Sequence, residues 1–366
     1  MSAAPSRVAY LDGLRGLAAL GVALGYHVHY LSAGHGPGWL PMASVPLHGT
    51  WIGTALYEKG WALVDVFFVL SGVVFSITYR ERIARREICA ARFAALRFSR
   101  LYPVHAAAWL LVLALACLPG TAPVYPAGSP LDALAGLLLL VPVETLNYPA
   151  WSITVEAVMY GLFFVAVRWP RRLPTALLAA LGLGLIVLGP LGALGAAGTH
   201  PYVPLIGRGL LGFFAAAAFW PAWQAGGEAR RRALAVLAAA AVASLPLARA
   251  GLIYPAVAAW TLALLALLDA VPRLRAPLES RPLLHLGRIS LSLYLMQLVV
   301  YTLARTAFAG AGATPPIDEP WFLLALGLAL VLAGDLTHRL VEEPARAWLR
   351  GRDRPPAVTP AATSSA

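Results

Sequence analysis

Arg15, His27 and His29 stand in the first apolar run of the chain, and Glu156 lies about one and a half helical turns into a later one. An ionisable side chain at hydrocarbon depth costs at least ~2.5–3.5 kcal/mol, so each of these needs a partner or a task. Taken singly, any of them serves equally well as a polar tie between helices. Taken together, an imidazole, a carboxylate and a guanidinium in one bundle have the makeup of a proton-transfer site. Asp12, Asp65, Ser71, Arg208, Gln297 and Asp335 are further polar residues in such runs.

The elements that must hold them follow from composition. Of 366 residues, 60% are hydrophobic and only 12% charged, where soluble domains carry roughly 45–50% and about 25%. Mean hydropathy is +0.72. The chain reads as an all-α integral membrane protein. A crossing needs roughly 20 apolar residues, and the runs predict crossings at 8–31, 61–79, 101–118, 150–168, 174–194, 204–223, 233–248, 252–271, 284–307 and 320–340. A further run, 131–143, is short and reads as a re-entrant or interfacial helix.

Charge sets the orientation. The net charge is +11 and Lys59 is the only lysine, so nearly all the positive charge is arginine placed in gaps between apolar runs. That pattern reports topology and not a nucleic-acid partner. The densest group, Arg80, Arg82, Arg85, Arg86, Arg92, Arg97 and Arg100, belongs in the cytoplasm. If 131–143 does not cross, the later groups at 168–172, 230–232, 273–281 and 339–350 fall on the same side. Both termini are then cytoplasmic, with residues 1–350 as one transmembrane domain and 351–366 as a disordered tail. Cys89 and Cys117 are too few for a disulfide framework. No cluster has metal-ligand spacing, no glycine loop is of phosphate-cradling type, and Ser71-Gly72 lacks the nucleophile-elbow pattern.

The basic segment serves orientation or lipid headgroups on one reading. On the other it is a cytoplasmic site for a phosphate-bearing ligand, to which the bidentate fork of arginine is suited.

Four blocks in order resemble the integral-membrane acyltransferases of family 3, O-acyltransferases of bacterial surface polysaccharides and antibiotic sugars. They are YLDGLRGLAALGVALGYH from Tyr10 to His27, VDVFFVLSG from Val64, RFAALRFSRLYP from Arg92, and WSITVEAVMY from Trp151. Weaker echoes are RGLLGFF from Arg208, LGRISLSLYL from Leu286 and VEEPAR from Val341. The resemblance implies a bundle of about ten helices that moves an acyl group, commonly acetyl, from acyl-CoA. The acceptor implied is a hydroxyl of a sugar, glycan or lipid-linked saccharide. By position in the family's motifs, Arg15, His27 and Glu156 are the implied catalytic residues, and Arg97 and Arg100 are its RLYP arginines. Arg92, Arg97, Arg100 and Tyr102 are expected at the acyl-CoA. Asp65, Ser71, Trp151, Ser152, Tyr160 and Arg208 are expected to bind substrate. The donor is a cosubstrate, and no tightly bound cofactor or metal is expected. The setting implied is the bacterial cytoplasmic membrane.

His27 then acts as general base on the acceptor hydroxyl. Arg15 orients the donor or neutralises developing charge, and Glu156 orients His27 or stabilises its charged form. Arg15 and His27 lie about 18 Å apart along an ideal helix at ~1.5 Å per residue, a span that suits a pantetheine arm.

The sequence departs from the family pattern at three points. Eleven residues separate Arg15 from His27, where ten are usual. On an ideal helix that puts His27 about 120° from Arg15 instead of about 20°. Either a π-bulge absorbs one residue, for which Gly21 and Gly25 leave room, or His29, roughly 40° from Arg15, is the base. His27 is preferred and His29 is its rival. Ala157 stands where a second Glu is common, and Gln297 where a His is common. A saccharide transporter or flippase, or a catalytically degenerate family member, is the alternative reading.

Overall fold

The computed structural model describes residues 8–32, 47, 49–125, 129–140, 146–189 and 202–351. Among them all regular secondary structure is helical. The first run forms α1 (Ala9–Gly21) and two tighter or looser turns beyond it. There follow α2 (Trp51–Lys59), α3 (Leu63–Thr78), α4 (Arg80–Ala84), α5 (Ala90–Cys117), α6 (Pro130–Leu137), α7 (Trp151–Arg168) and α8 (Thr175–Leu188). The second half holds α9 (Tyr202–Ala225), α10 (Gly227–Arg249), α11 (Tyr254–Ala270), α12 (Arg281–Gly310), α13 (Pro320–Thr337) and α14 (Glu343–Gly351).

By length and composition, seven helices among the described residues can cross a bilayer: Trp51–Thr78, Ala90–Cys117, Tyr148–Arg168, Tyr202–Ala225, Gly227–Arg249, Arg281–Gly310 and Pro320–Trp348. Shorter apolar helices occupy Thr175–Leu188 and Tyr254–Ala270, within two other expected crossings. Residues 190–194, 141–143 and 352–366, on which parts of the expected fifth crossing, short run and tail fall, lie outside the described residues.

Two local differences from expectation have simple causes. The basic segment is largely helix: Arg92, Arg97 and Arg100 ride on the first turns of α5, where Ala, Leu and Arg all favour helix. The short run forms only eight residues of α6, with Pro130 at its start and Ser129 Oγ accepting from the Asp132 N–H at 3.1 Å. At ~1.5 Å per residue it is too short to cross. Cys89 and Cys117 are free and exposed at the two ends of α5.

The packing that matters for function is α1 against α12, and α9 against α3 and α8. The α1–α12 approach is backbone to backbone. A Cβ on Gly287 would lie 2.1 Å from the Asp12 carbonyl oxygen. Small residues permit such contact between apolar helices. Here the contact lays Asp12 and Arg15 alongside Arg288 and Ser290.

Candidate active site

The first run does not continue as a regular helix to His27. After Gly21, residues Val22–Tyr26 form a π turn, in which the His27 N–H reaches the Val22 carbonyl. His27–Leu31 then tighten into a 3-10 turn. The surplus residue between Arg15 and His27 is absorbed in the wide turn, the first of the two outcomes that the spacing allowed. α12 grips this turn at two points one helical turn apart. The Tyr301 hydroxyl donates to the Ala23 carbonyl at 2.6 Å. Gln297 Oε1 lies 2.9 Å from His27 Nδ1.

Both histidines are buried. His29 Nδ1 turns back to the Tyr26 carbonyl at 2.5 Å, within its own turn. The His27 ring instead faces the rings of Tyr148 and Tyr294, each 6.4 Å away between centroids, and of Tyr30 at 5.2 Å.

Glu156 is held by two hydroxyls. Ser71 Oγ donates to its Oε1 at 2.6 Å, and the Tyr160 hydroxyl donates to the same oxygen at 2.5 Å. Its bonds therefore run to α3 and along α7. The expectation that Glu156 orients His27 gives way to a different arrangement: the side chain hydrogen-bonded to the imidazole is Gln297.

A cavity of about 450 Å³ opens on the side that carries the basic segment. Its lining includes Asp12, Arg15, Arg100, Arg288, Ser290, His338, Glu342 and Arg346. Glu342 is buried there and accepts from Ser292 Oγ at 3.0 Å and Arg346 NH1 at 3.2 Å, with His338 Nδ1 at 2.9 Å. Arg15, Arg100 and Arg288 make no hydrogen bond or ion pair among the described residues, and Arg15 Nε is buried. Three guanidinium groups thus converge on one space without a hydrogen-bonded acid, alongside the carboxylates of Asp12, Glu342 and Glu343 in the same lining, and their free N–H groups can receive an anion. A second void, of about 30 Å³, shares Arg15, Ser290 and Leu291 with the first and reaches Glu156, Ser152 and Tyr294. Tyr294, whose ring lies 6.4 Å from that of His27, lines this void with Arg15, while His27 itself lines neither cavity.

The other expected site residues fall as follows. Arg97 is bonded to the Tyr79 hydroxyl and stacked 4.6 Å from that ring. Tyr102 stacks on the exposed Phe98 at 4.5 Å, and neither it, Arg92 nor Arg97 lines the large cavity. Asp65 and Arg208 are bound to each other, with Nε–Oδ1 and NH2–Oδ2 both 2.9 Å. The rings of Trp61, Trp151 and Tyr254 surround that guanidinium at 4.8 to 5.3 Å. Ser152 Oγ donates to the Pro149 carbonyl at 3.1 Å and lies 3.4 Å from the Tyr294 hydroxyl. Arg288, His338 and Arg346 are cavity residues that motif reading passed over. The signal was the pair of weak echoes, LGRISLSLYL and VEEPAR, which meet here.

A family model described as an acyltransferase domain, acyltransferase family 3, matches residues 8–339. The acyltransferase MdmB of Streptomyces mycarofaciens is 28% identical over 349 residues, covering 84% of this chain and 87% of that protein. A Rhizobium radiobacter protein described as protein 2 in the picA locus is 28% identical over 193 residues, covering 46% of this chain and 85% of that one. No solved structure matches the chain.

Proposed function

The chain belongs to acyltransferase family 3 and is a multi-pass membrane acyltransferase, and on that premise we propose that it carries an acyl group, most simply acetyl, from acyl-CoA to a hydroxyl of a sugar, glycan or lipid-linked saccharide. The observation that carries the donor assignment is the convergence of Arg15, Arg100 and Arg288, without bonded acids, on the cavity at the basic side. A phosphate-rich donor can accept from the N–H groups these three leave unbonded, and the bidentate fork of arginine suits phosphate. The void beyond Arg15, about 30 Å³ and lined by Phe67, Phe68, Glu156, Leu291 and Tyr294, has room for about one water, so an acyl-pantetheine arm on this route needs these side chains to move apart.

In this reading the acceptor oxygen attacks the thioester carbonyl while His27 removes its proton. Collapse of the tetrahedral intermediate expels the coenzyme A thiolate, which takes that proton from His27. Arg15, about 18 Å from His27 along an ideal helix, orients the donor by its phosphates at the basic end, and Glu156 lines the small void with it. The rings of Tyr26, Tyr30 and Tyr148 about His27 offer flat faces and hydroxyls to a polyol of mixed polarity. His27 is favoured over His29 because its ring bonds across to α12, whereas His29 is tied to its own turn. We place the protein in the cytoplasmic membrane as a single domain over 1–350, with ten crossings and both termini inside. Phospholipid is its surrounding partner.

The test supplies membranes containing the protein with radiolabelled acetyl-CoA and candidate glycan acceptors. Transfer by the wild type, and its loss in His27→Ala and Arg15→Ala with folding intact, is the expected result. Transfer surviving both substitutions removes the proposed chemistry.

A further inference from the structure

We infer that Gln297 is a positioning residue that locks His27 in the tautomer whose proton is on Nδ1, leaving the lone pair of Nε2 free to act as the base. The inference rests on the proposal that His27 is that base. It follows from which groups around the amide can donate and which can only accept.

Gln297 is buried in the middle of α12. Its Nε2 lies 2.6 Å from the carbonyl oxygen of Tyr294. A backbone carbonyl has no proton to give, so the amide end facing it must be the NH2. The oxygen end must then face His27, and it lies 2.9 Å from Nδ1. An amide oxygen only accepts, so Nδ1 must carry the hydrogen. In a neutral imidazole the other nitrogen then holds the lone pair. Tyr301 gives its one hydroxyl proton to the Ala23 carbonyl at 2.6 Å and, 3.3 Å from the same Oε1, has none left for it, so the orientation rests on the Tyr294 carbonyl. The titratable rings facing His27 are Tyr26, His29, Tyr30, Tyr148 and Tyr294, and none of them bonds to Nδ1.

A neutral amide fixes the direction of the ring without pairing it with a charge. A carboxylate at the same place would also favour the imidazolium, and so bring a different pH dependence. The glutamine that displaces the family's usual histidine at this position therefore has an assigned task in this chain.

Two measurements test it on the full-length protein in detergent or nanodiscs. The first is the ¹⁵N spectrum of histidine-labelled enzyme, with the His27 signal identified by its disappearance in His27→Gln. A neutral ring protonated on Nδ1 at pH 7 is expected. A ring protonated on Nε2, or on both nitrogens, overturns the inference. The second is kinetic. Gln297→Met removes the acceptor at similar volume and is expected to lower kcat roughly ten- to hundredfold with both KM values unchanged. Gln297→Glu restores an acceptor and is expected to recover most of kcat, with the acid limb of the pH–rate profile moved to higher pH. Full kcat in Gln297→Met, with His27→Ala inactive, defeats this inference alone. Activity in His27→Ala defeats the underlying proposal instead.

Discussion

Arg208 of α9 and Asp65 of α3 close on each other through two parallel contacts of 2.9 Å, both side chains buried and the guanidinium ringed by Trp61, Trp151 and Tyr254. The pair ties the start of one helix to the start of another beside the π turn. A charge removed from such a pair leaves its partner stranded, at a cost of about 3–5 kcal/mol. Asp65→Ala and Arg208→Ala are therefore each expected to lower the thermal midpoint sharply in detergent, and the double change Asp65→Leu with Arg208→Met less than either. Fluorescence-detected size exclusion after heating reads the order directly. Equal loss in all three variants would contradict it.

Arg100 and Arg288 reach the large cavity from α5 and α12 with no bonded acid between them. Each substitution to Gln should raise the KM for acyl-CoA about tenfold or more, the worth of a hydrogen bond to a charged group, while kcat with saturating donor stays within about twofold. Steady-state kinetics against varied acyl-CoA, with Arg92→Gln as a control outside the cavity, measures this. An unchanged KM in both variants would relocate the donor.

Glu156→Gln keeps an oxygen to accept from Ser71 and Tyr160 and removes the charge beside Arg15. The expected outcome is a thermal midpoint close to wild type, with transfer reduced about tenfold, the scale of one charged contact that helps to set Arg15 toward the donor. If transfer persists at the wild-type rate, Glu156 is a structural acceptor for two hydroxyls only.

Cys89 and Cys117 bracket α5, 28 residues long, or about 42 Å at ~1.5 Å per residue, more than a hydrocarbon core of about 30 Å. A membrane-impermeant maleimide added to intact cells should label Cys117 and spare Cys89, with the pattern reversed in inverted vesicles. Mass spectrometry of the two tryptic peptides distinguishes them. Labelling of both from one side would remove α5 from the list of crossings.

The helices were legible where apolar length alone decides, as for α12 and α13. α2 was not, because WIGTALYEK carries little hydropathic signal and is started by its cap, Thr50, whose Oγ1 accepts from Gly53 N–H at 3.1 Å. The site divides in the same way. The eleven residues between Arg15 and His27 allowed either a π turn or His29 as the base, and spacing alone did not choose between them. The bond between His27 and Gln297 spans 270 positions of the chain, and no local pattern encodes it. Gln297 therefore looks, in sequence, like the loss of a histidine. Arg97 stands outside the cavity for a reason equally remote in sequence: its guanidinium bonds to Tyr79 and lies over the rings of Tyr79 and Phe75.

The widened turn at Val22–Tyr26 makes the register of the first motif elastic. In this chain the extra length stops at the turn, because α12 holds it there through Tyr301 and Gln297. What fixes where the imidazole of His27 lies is then the anchorage of the Ala23 carbonyl on Tyr301, not the tally of positions before it.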